Sequence, residues 1–318
     1  MSLWRLGPLV AVVVLLGGCD ANAPAAPSAT SSATAPGGGS RLLEALAHVA
    51  DSDATRARFD FSDVAFLGTI GGPGWAGIRY QGARNVSLKL VGDAGLPIGA
   101  AQYAVTAGEE PRHVIVFAGG QDVAAVAAAL RKLGWTADGD RFVAPAAAMT
   151  PAPPNDGGLI PAGQARASGA DLLVGGQASD LADAAPAGRA TLAQRPAVAA
   201  LAGCLGDVVA ALGRFRPAGG YLAVAAAGVR RPASAEEKPR AVLCTATKSA
   251  SDAEAVAEQL RQGFRTGRSA QQYGDVTVTV LGGPEHLVRA EATAAAPGTM
   301  LFTFAGYGLP GETGQPEV

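Results

Sequence analysis

The sequence predicts an α+β fold made of two related halves, each a mostly antiparallel sheet with helices packed on one face. Three observations carry this. First, Arg112 to Ala118 reads as a buried-type strand, followed by a helix-period stretch from Gln121 to Leu133 and a hairpin turning on Asp138-Gly139. Second, the same order recurs: an apolar run at Arg240 to Thr247, a helix opening at Ser251, then a hairpin. The helices share a pattern, DVAAVAAALR from Asp122 against DAEAVAEQLR from Asp252. Third, Val276, Val278 and Val280 alternate with Thr277 and Thr279, which is the period of a half-buried antiparallel strand.

Each element follows from local signals. Arg41 to Ala50 reads as a helix, with Leu42, Leu46 and Val49 on one face and Ser40 placed to cap it. Ala54 to Phe61 reads as extended, with Phe59 and Phe61 on one side and Arg58 and Asp60 on the other. Ile70 to Gly82 is a glycine-rich loop, Val86 to Val91 a strand or a short helix, and Tyr103 to Thr106 a short strand. Val123, Val126, Ala127, Leu130 and Leu133 make the inner face of the next helix, which Gly134 stops. Beyond a proline-rich segment come a strand at Asp171 to Gly175 and a short helix at Gln177 to Ala184. Pro196 opens a helix that runs to Ala202 and stops at Gly203. Strands follow at Asp207 to Gly213, Tyr221 to Val229 and Arg240 to Thr247. Ser251 to Glu254 forms a capping box, and Val256, Leu260 and Phe264 face inward. A turn at Gly282 to Glu285 leads to a strand at Leu287 to Thr293, and Met300 to Ala305 reads as a final strand.

Composition limits the function. The chain has 318 residues, 48% apolar but only 5% aromatic, with a net charge of −2 and charges of both signs scattered. That excludes a basic stripe for nucleic acid and a polybasic patch for anionic lipid. Arg5 followed by the apolar run Leu6 to Gly18 is a secretory signal peptide, too short to span a bilayer. Asp20 to Ser40 has no aromatic or large aliphatic residue, so it reads as a disordered tether with an r.m.s. reach of roughly 25 Å. The resulting organisation is signal peptide 1–18, Cys19 and tether 19–40, N-terminal half 41–145, linker 146–161, C-terminal half 162–307 and a loose tail 308–318.

No local motif carries chemistry. His48, His113 and His286 share no ligand spacing, so no metal site is expected. Gly72 to Gly77 fits the dinucleotide glycine pattern only formally, since Pro73 lies inside it and no convincing helix follows, so no cofactor is expected. That loop offers Trp75, Arg79 and Tyr80 as candidate contact residues, residue types enriched at interface hot spots. The bland alternative, favoured for Trp75, is a side chain that plugs its own core. Asp60 and Asp63 work as paired carboxylates only if an unusual turn joins them. No catalytic residue is expected.

The signal ends on Leu16-Gly17-Gly18-Cys19, which resembles the lipobox of bacterial lipoproteins. That resemblance implies that Cys19 becomes the lipidated first residue of the mature chain, carrying diacylglyceryl and palmitate and attaching it to the membrane. Two or more acyl chains anchor stably where one does not. With Cys19 lipidated, Cys204 and Cys244 remain as an even pair outside the cytosol, expected as a disulfide, with two buried thiols as the alternative. Together with the stretch from Leu192 to Val209, Asp51 to Arg56 and Gly134 to Gly139, the lipobox makes the chain similar to uncharacterised lipoproteins of high-GC Gram-positive, actinobacterial-type bacteria. The resemblance carries over no functional residue beyond Cys19. It implies an extracytoplasmic protein on the outer face of the cell membrane. The expectation is a non-catalytic module that binds an envelope protein or small ligand in a groove between the halves. The alternatives are an envelope enzyme with dispersed catalytic residues and a lipid carrier with an internal apolar cavity.

Overall fold

The computed structural model describes residues 40–83, 95–145, 162–215 and 222–310. The signal peptide, Cys19, the tether up to residue 39, the element at Val86 to Val91, the linker 146–161 and the tail from 311 lie outside the described residues.

The strands form where apolar runs fall between turn residues. In chain order they are β1 Arg58–Ser62, β2 Tyr103–Ala107, β3 Val114–Ala118, β4 Thr136–Asp138, β5 Arg141–Val143, β6 Gln164–Ser168, β7 Asp171–Gly175, β8 Val208–Phe215, β9 Leu222–Arg230, β10 Arg240–Thr247, β11 Tyr273–Val280 and β12 Leu287–Ala294. The helices are α1 Arg41–Ala47, α2 Val64–Ile70, α3 Pro73–Ala76, α4 Val123–Lys132, α5 Pro196–Leu205, α6 Ala250–Gly263, α7 Gly267–Gln272 and α8 Thr299–Tyr307.

All these strands join one sheet in the order β11-β12-β10-β9-β8-β1-β2-β3-β7-β6-β5-β4, and the pairings are antiparallel. The seam between early and late sequence is β1 against β8, with Phe59 opposite Gly213 and Asp60 opposite Leu212. Gly213 is needed there, because a Cβ on it would lie 2.1 Å from the buried Phe59 ring. Phe59 and Phe61 face one cluster while Asp60 faces the other way, the alternation expected from sequence.

Helices cover both faces of the sheet, which corrects the expectation of one. On one face α1 and α5 bury Leu42, Leu46, Leu201 and Leu205 against Phe61, Tyr103, Val116 and Val242. On the other, Val126 and Leu130 of α4 meet Ile115 and Phe117, while α6 and α8 cover Ala227, Leu243 and Ala290. The reason is in the runs themselves. β3 is buried at every residue, so its even and odd positions both need apolar cover.

Further differences have local causes. Met300 to Ala305 is helical: α8 buries Met300, Leu301 and Phe304 and leaves Phe302 exposed, a helical spacing that six mostly apolar residues did not distinguish from a strand. The loop from Ile70 to Gly82 closes α2 and contains α3, which opens with Pro73 at its first turn. The inner face of α4 uses Ala129, while Val123 is exposed. Helix α5 continues past Gly203 and stops at Gly206, whose φ is +68°. Helix α6 is capped two residues early, by Ser249 Oγ accepting the Asp252 N–H at 3.1 Å. Gln177 to Ala184 contains only a 3-10 turn at Leu181–Ala184, and the Ala-rich β6 was not anticipated. No helix among the described residues is long and apolar enough to cross a membrane.

Candidate functional site

Helix α8 positions the site. Burying Met300, Leu301 and Phe304 turns Phe302 outward, and it is 52% exposed. The segment that leads into α8 packs against α3 through glycine. A Cβ on Gly298 would lie 2.4 Å from the Phe302 ring, and one on Gly74 would lie 3.2 Å from Pro297. Between them opens a groove of about 660 Å³, lined by Pro73, Gly74, Gly77 and Ile78 on α3 and the turn after it. Phe302, Thr303 and Gly306 of α8 and Arg268 and Gln272 of α7 also line it. Early and late sequence thus meet in one concavity.

Few polar groups line it, and two are uncommitted. Thr303 Oγ1 accepts a hydrogen bond from the Tyr273 hydroxyl at 3.1 Å, and Thr299 Oγ1 accepts the Ala296 N–H at 3.1 Å. Burial pushes the Tyr273 hydroxyl pKa up, so it donates as a neutral phenol. The Gln272 side-chain carbonyl is buried with no hydrogen-bond partner among the described residues. Arg268 is exposed and makes no ion pair among the described residues. An apolar floor with one cationic donor and one free acceptor suits binding and orientation.

The residues singled out in the sequence lie close by but point elsewhere. Trp75 is buried, and its Nε1 donates to the Ala235 carbonyl at 3.3 Å. Arg79 donates to the carbonyls of Val64 and Gly99, and its guanidinium lies 5.3 Å from the Tyr80 ring centroid. Tyr80 is half-buried. The loop reaches the groove through its small residues instead.

Cys204, at the end of α5, is disulfide-bonded to Cys244 in the middle of β10, with Cα atoms 6.2 Å apart. Asp60 and Asp63 serve separate purposes. Asp60 takes the Arg58 guanidinium at 2.6 Å and the Gln81 amide at 2.9 Å, whereas Asp63 caps α2 and pairs with Arg231 at 2.7 Å.

The chain matches no family model, no curated protein and no solved structure.

The histidines remain apart. His48 meets the Tyr103 ring edge-on, His286 sits in the β11–β12 turn, and His113 is fully buried. No cluster of three metal-ligating side chains occurs among the described residues. Burial alone pulls the His113 pKa down to about 4, but His113 is not part of the groove. What sequence reasoning missed was Phe302, Arg268 and Gln272. The signal for Phe302 was helical spacing in the last apolar run, which leaves one large aromatic outside, whereas Arg268 and Gln272 sit on the short polar α7, which carries no such pattern.

Proposed function

We propose that this chain is an exported lipoprotein, held by lipid on Cys19 at the outer face of the cell membrane, which works as a non-catalytic binding module in the envelope. The lipobox-like Leu16 to Cys19 supports the anchor, and the Cys204–Cys244 disulfide supports an oxidising compartment. Both agree with its resemblance to actinobacterial-type lipoproteins.

The observation that carries the binding reading is the groove between α3 and α8, with the exposed Phe302 and the unpaired Arg268. Its occupant is an apolar segment of an envelope partner, or an apolar small ligand, that presents an acidic group to Arg268. The two halves belong to the same reading. Apart from α2 and α3, which lie between β1 and β2, the order α1-β1-β2-β3-α4 parallels α5-β8-β9-β10-α6, with α1 and α5 over one face and α4 and α6 over the other. The antiparallel β1–β8 seam fits a duplicated unit related by a twofold axis through it.

Two experiments test this. Partners cross-linked in the intact envelope, identified by mass spectrometry, should include one stoichiometric species that Arg268→Glu and Phe302→Ala both deplete. Recovery unaffected by either substitution would remove the groove from the function. Cys19→Ala should release the protein or leave an unprocessed precursor, and normal processing with full membrane retention would exclude the anchor.

A further inference from the structure

The two ends of the sheet are built differently. At one end β4 has three residues, all exposed, and Asp138 pairs with Arg141. A strand that short and charged is blunted against pairing. At the other end β11 has eight residues, and its last five, Val276 to Val280, are all valine or threonine with no charge and no proline. A bulge between Gly274 and Thr277, where Asp275 has φ +49°, ends the regular stretch on one side, and the Gly282-Gly283 turn follows on the other.

The ladder fixes which main-chain groups of β11 face outward. The Leu281 N–H donates to the Leu287 carbonyl, so that opposed pair is a hydrogen-bonded one. Hydrogen-bonded pairs alternate in an antiparallel ladder, so Thr279 with Arg289 and Thr277 with Glu291 also bond inward. Val278 and Val280 therefore turn their N–H and C=O groups away from β12, toward an edge with no strand beyond it among the described residues.

The stretch reads the same in both directions about Val278: Val-Thr-Val-Thr-Val. We infer that β11 pairs antiparallel with β11 of a second copy, about a twofold axis at Val278, joining two sheets into one. That axis sets Val278 opposite Val278, Val276 opposite Val280 and Thr277 opposite Thr279. The central pair falls where the outward groups are, so its main-chain bonds form in both directions. Valines meet valines on the face where Val278 and Val280 already pack on the core, and Val276, one of the large apolar side chains left exposed, gains cover. Threonines meet threonines on the other face. Asp275 falls opposite Leu281, so no like charges oppose. Such an interface is isologous and closes at two copies.

The test uses the full chain. Opposed Cα atoms lie about 5.5 Å apart in a hydrogen-bonded pair and about 4.5 Å apart in a non-bonded one, both within disulfide reach. Under mild oxidation Val278→Cys should link two chains, with both joined peptides carrying position 278. A chain with Thr277→Cys and Thr279→Cys together should link 277 to 279, and Thr277→Cys alone should link poorly. Sedimentation should show a dimer that Val276→Lys and Val278→Pro convert to monomer. Proline at 278 removes only an outward N–H and spares the β11–β12 ladder. The inference is overturned if folded Val278→Cys chains, verified by their melting curve, give no 278–278 link, if they link to a different protein, or if both edge variants remain dimeric.

Discussion

His113 lies wholly buried, and neither ring nitrogen is hydrogen-bonded among the described residues. Its main chain is clamped, since its carbonyl accepts from the Gly176 N–H at 3.2 Å and from the Ser179 hydroxyl. A charged imidazole would have nothing to replace its water there, and this holds the pKa down to about 4 against an ordinary 6.5. Above pH 6.5 both folded and unfolded chains carry it neutral. Between 6.5 and about 4 the unfolded chain binds a proton that the folded chain refuses, so stability falls as pH falls, by up to about 3 kcal/mol. Urea titrations at several pH values should show that loss in the parent chain, and His113→Phe should flatten it over the same window. An unchanged slope in the variant would mean that other groups govern the acid response.

Among the elements, two carry consequences that are separable by experiment. The disulfide ties the end of α5 to β10 across a separation of 40 residues, which in the chain-entropy model contributes about 4 kcal/mol. Replacing Cys204 and Cys244 together by serine should lower Tm by about 10 °C while leaving far-UV circular dichroism unchanged at room temperature. In α8, Phe304 is buried and Phe302 is exposed. Phe304→Ala should cost about 4 kcal/mol, whereas Phe302→Ala should stay within about 0.5 kcal/mol of the parent in a denaturant melt. Equal losses would mean that α8 is not seated as described. The same helix shows where sequence reading stops. β3, β9 and β10 were legible because long apolar runs bounded by turn residues have few other fates. Six mostly apolar residues from Met300 to Ala305 had two fates, and packing on the sheet chose between them. The groove was illegible for another reason. Glycines form much of its wall, and they signal a turn but not what the turn packs against.

For the molecule as a whole, the decisive feature is that early and late sequence share one sheet. Trp75 packs with the C-terminal cluster although it belongs to the early sequence, while Trp135 packs against α4 and Ile115. Neither cluster can open without exposing the edge of the other at the β1–β8 seam. Unfolding should therefore be a single transition, in which tryptophan fluorescence and far-UV circular dichroism coincide in urea. Two separated midpoints would mean that the halves melt independently. Mostly antiparallel pairing was expected, but the joining of early and late sequence in one sheet was not. Nothing local in Arg58 to Ser62 tells that its second neighbour lies at Val208 to Phe215.

That seam also sets a schedule. Asp60 pairs with Leu212, about 150 residues later, so loop closure across nearly half the chain precedes it. A chain made from its N-terminus can pair β1 with β2 and β3 early. The other side of β1, with Phe59 and Phe61 beside it, must wait open until β8 has emerged. In the finished protein β1 lies at the middle of the sheet; while the chain is being made it is an unguarded border, the place where a chaperone would have to stand.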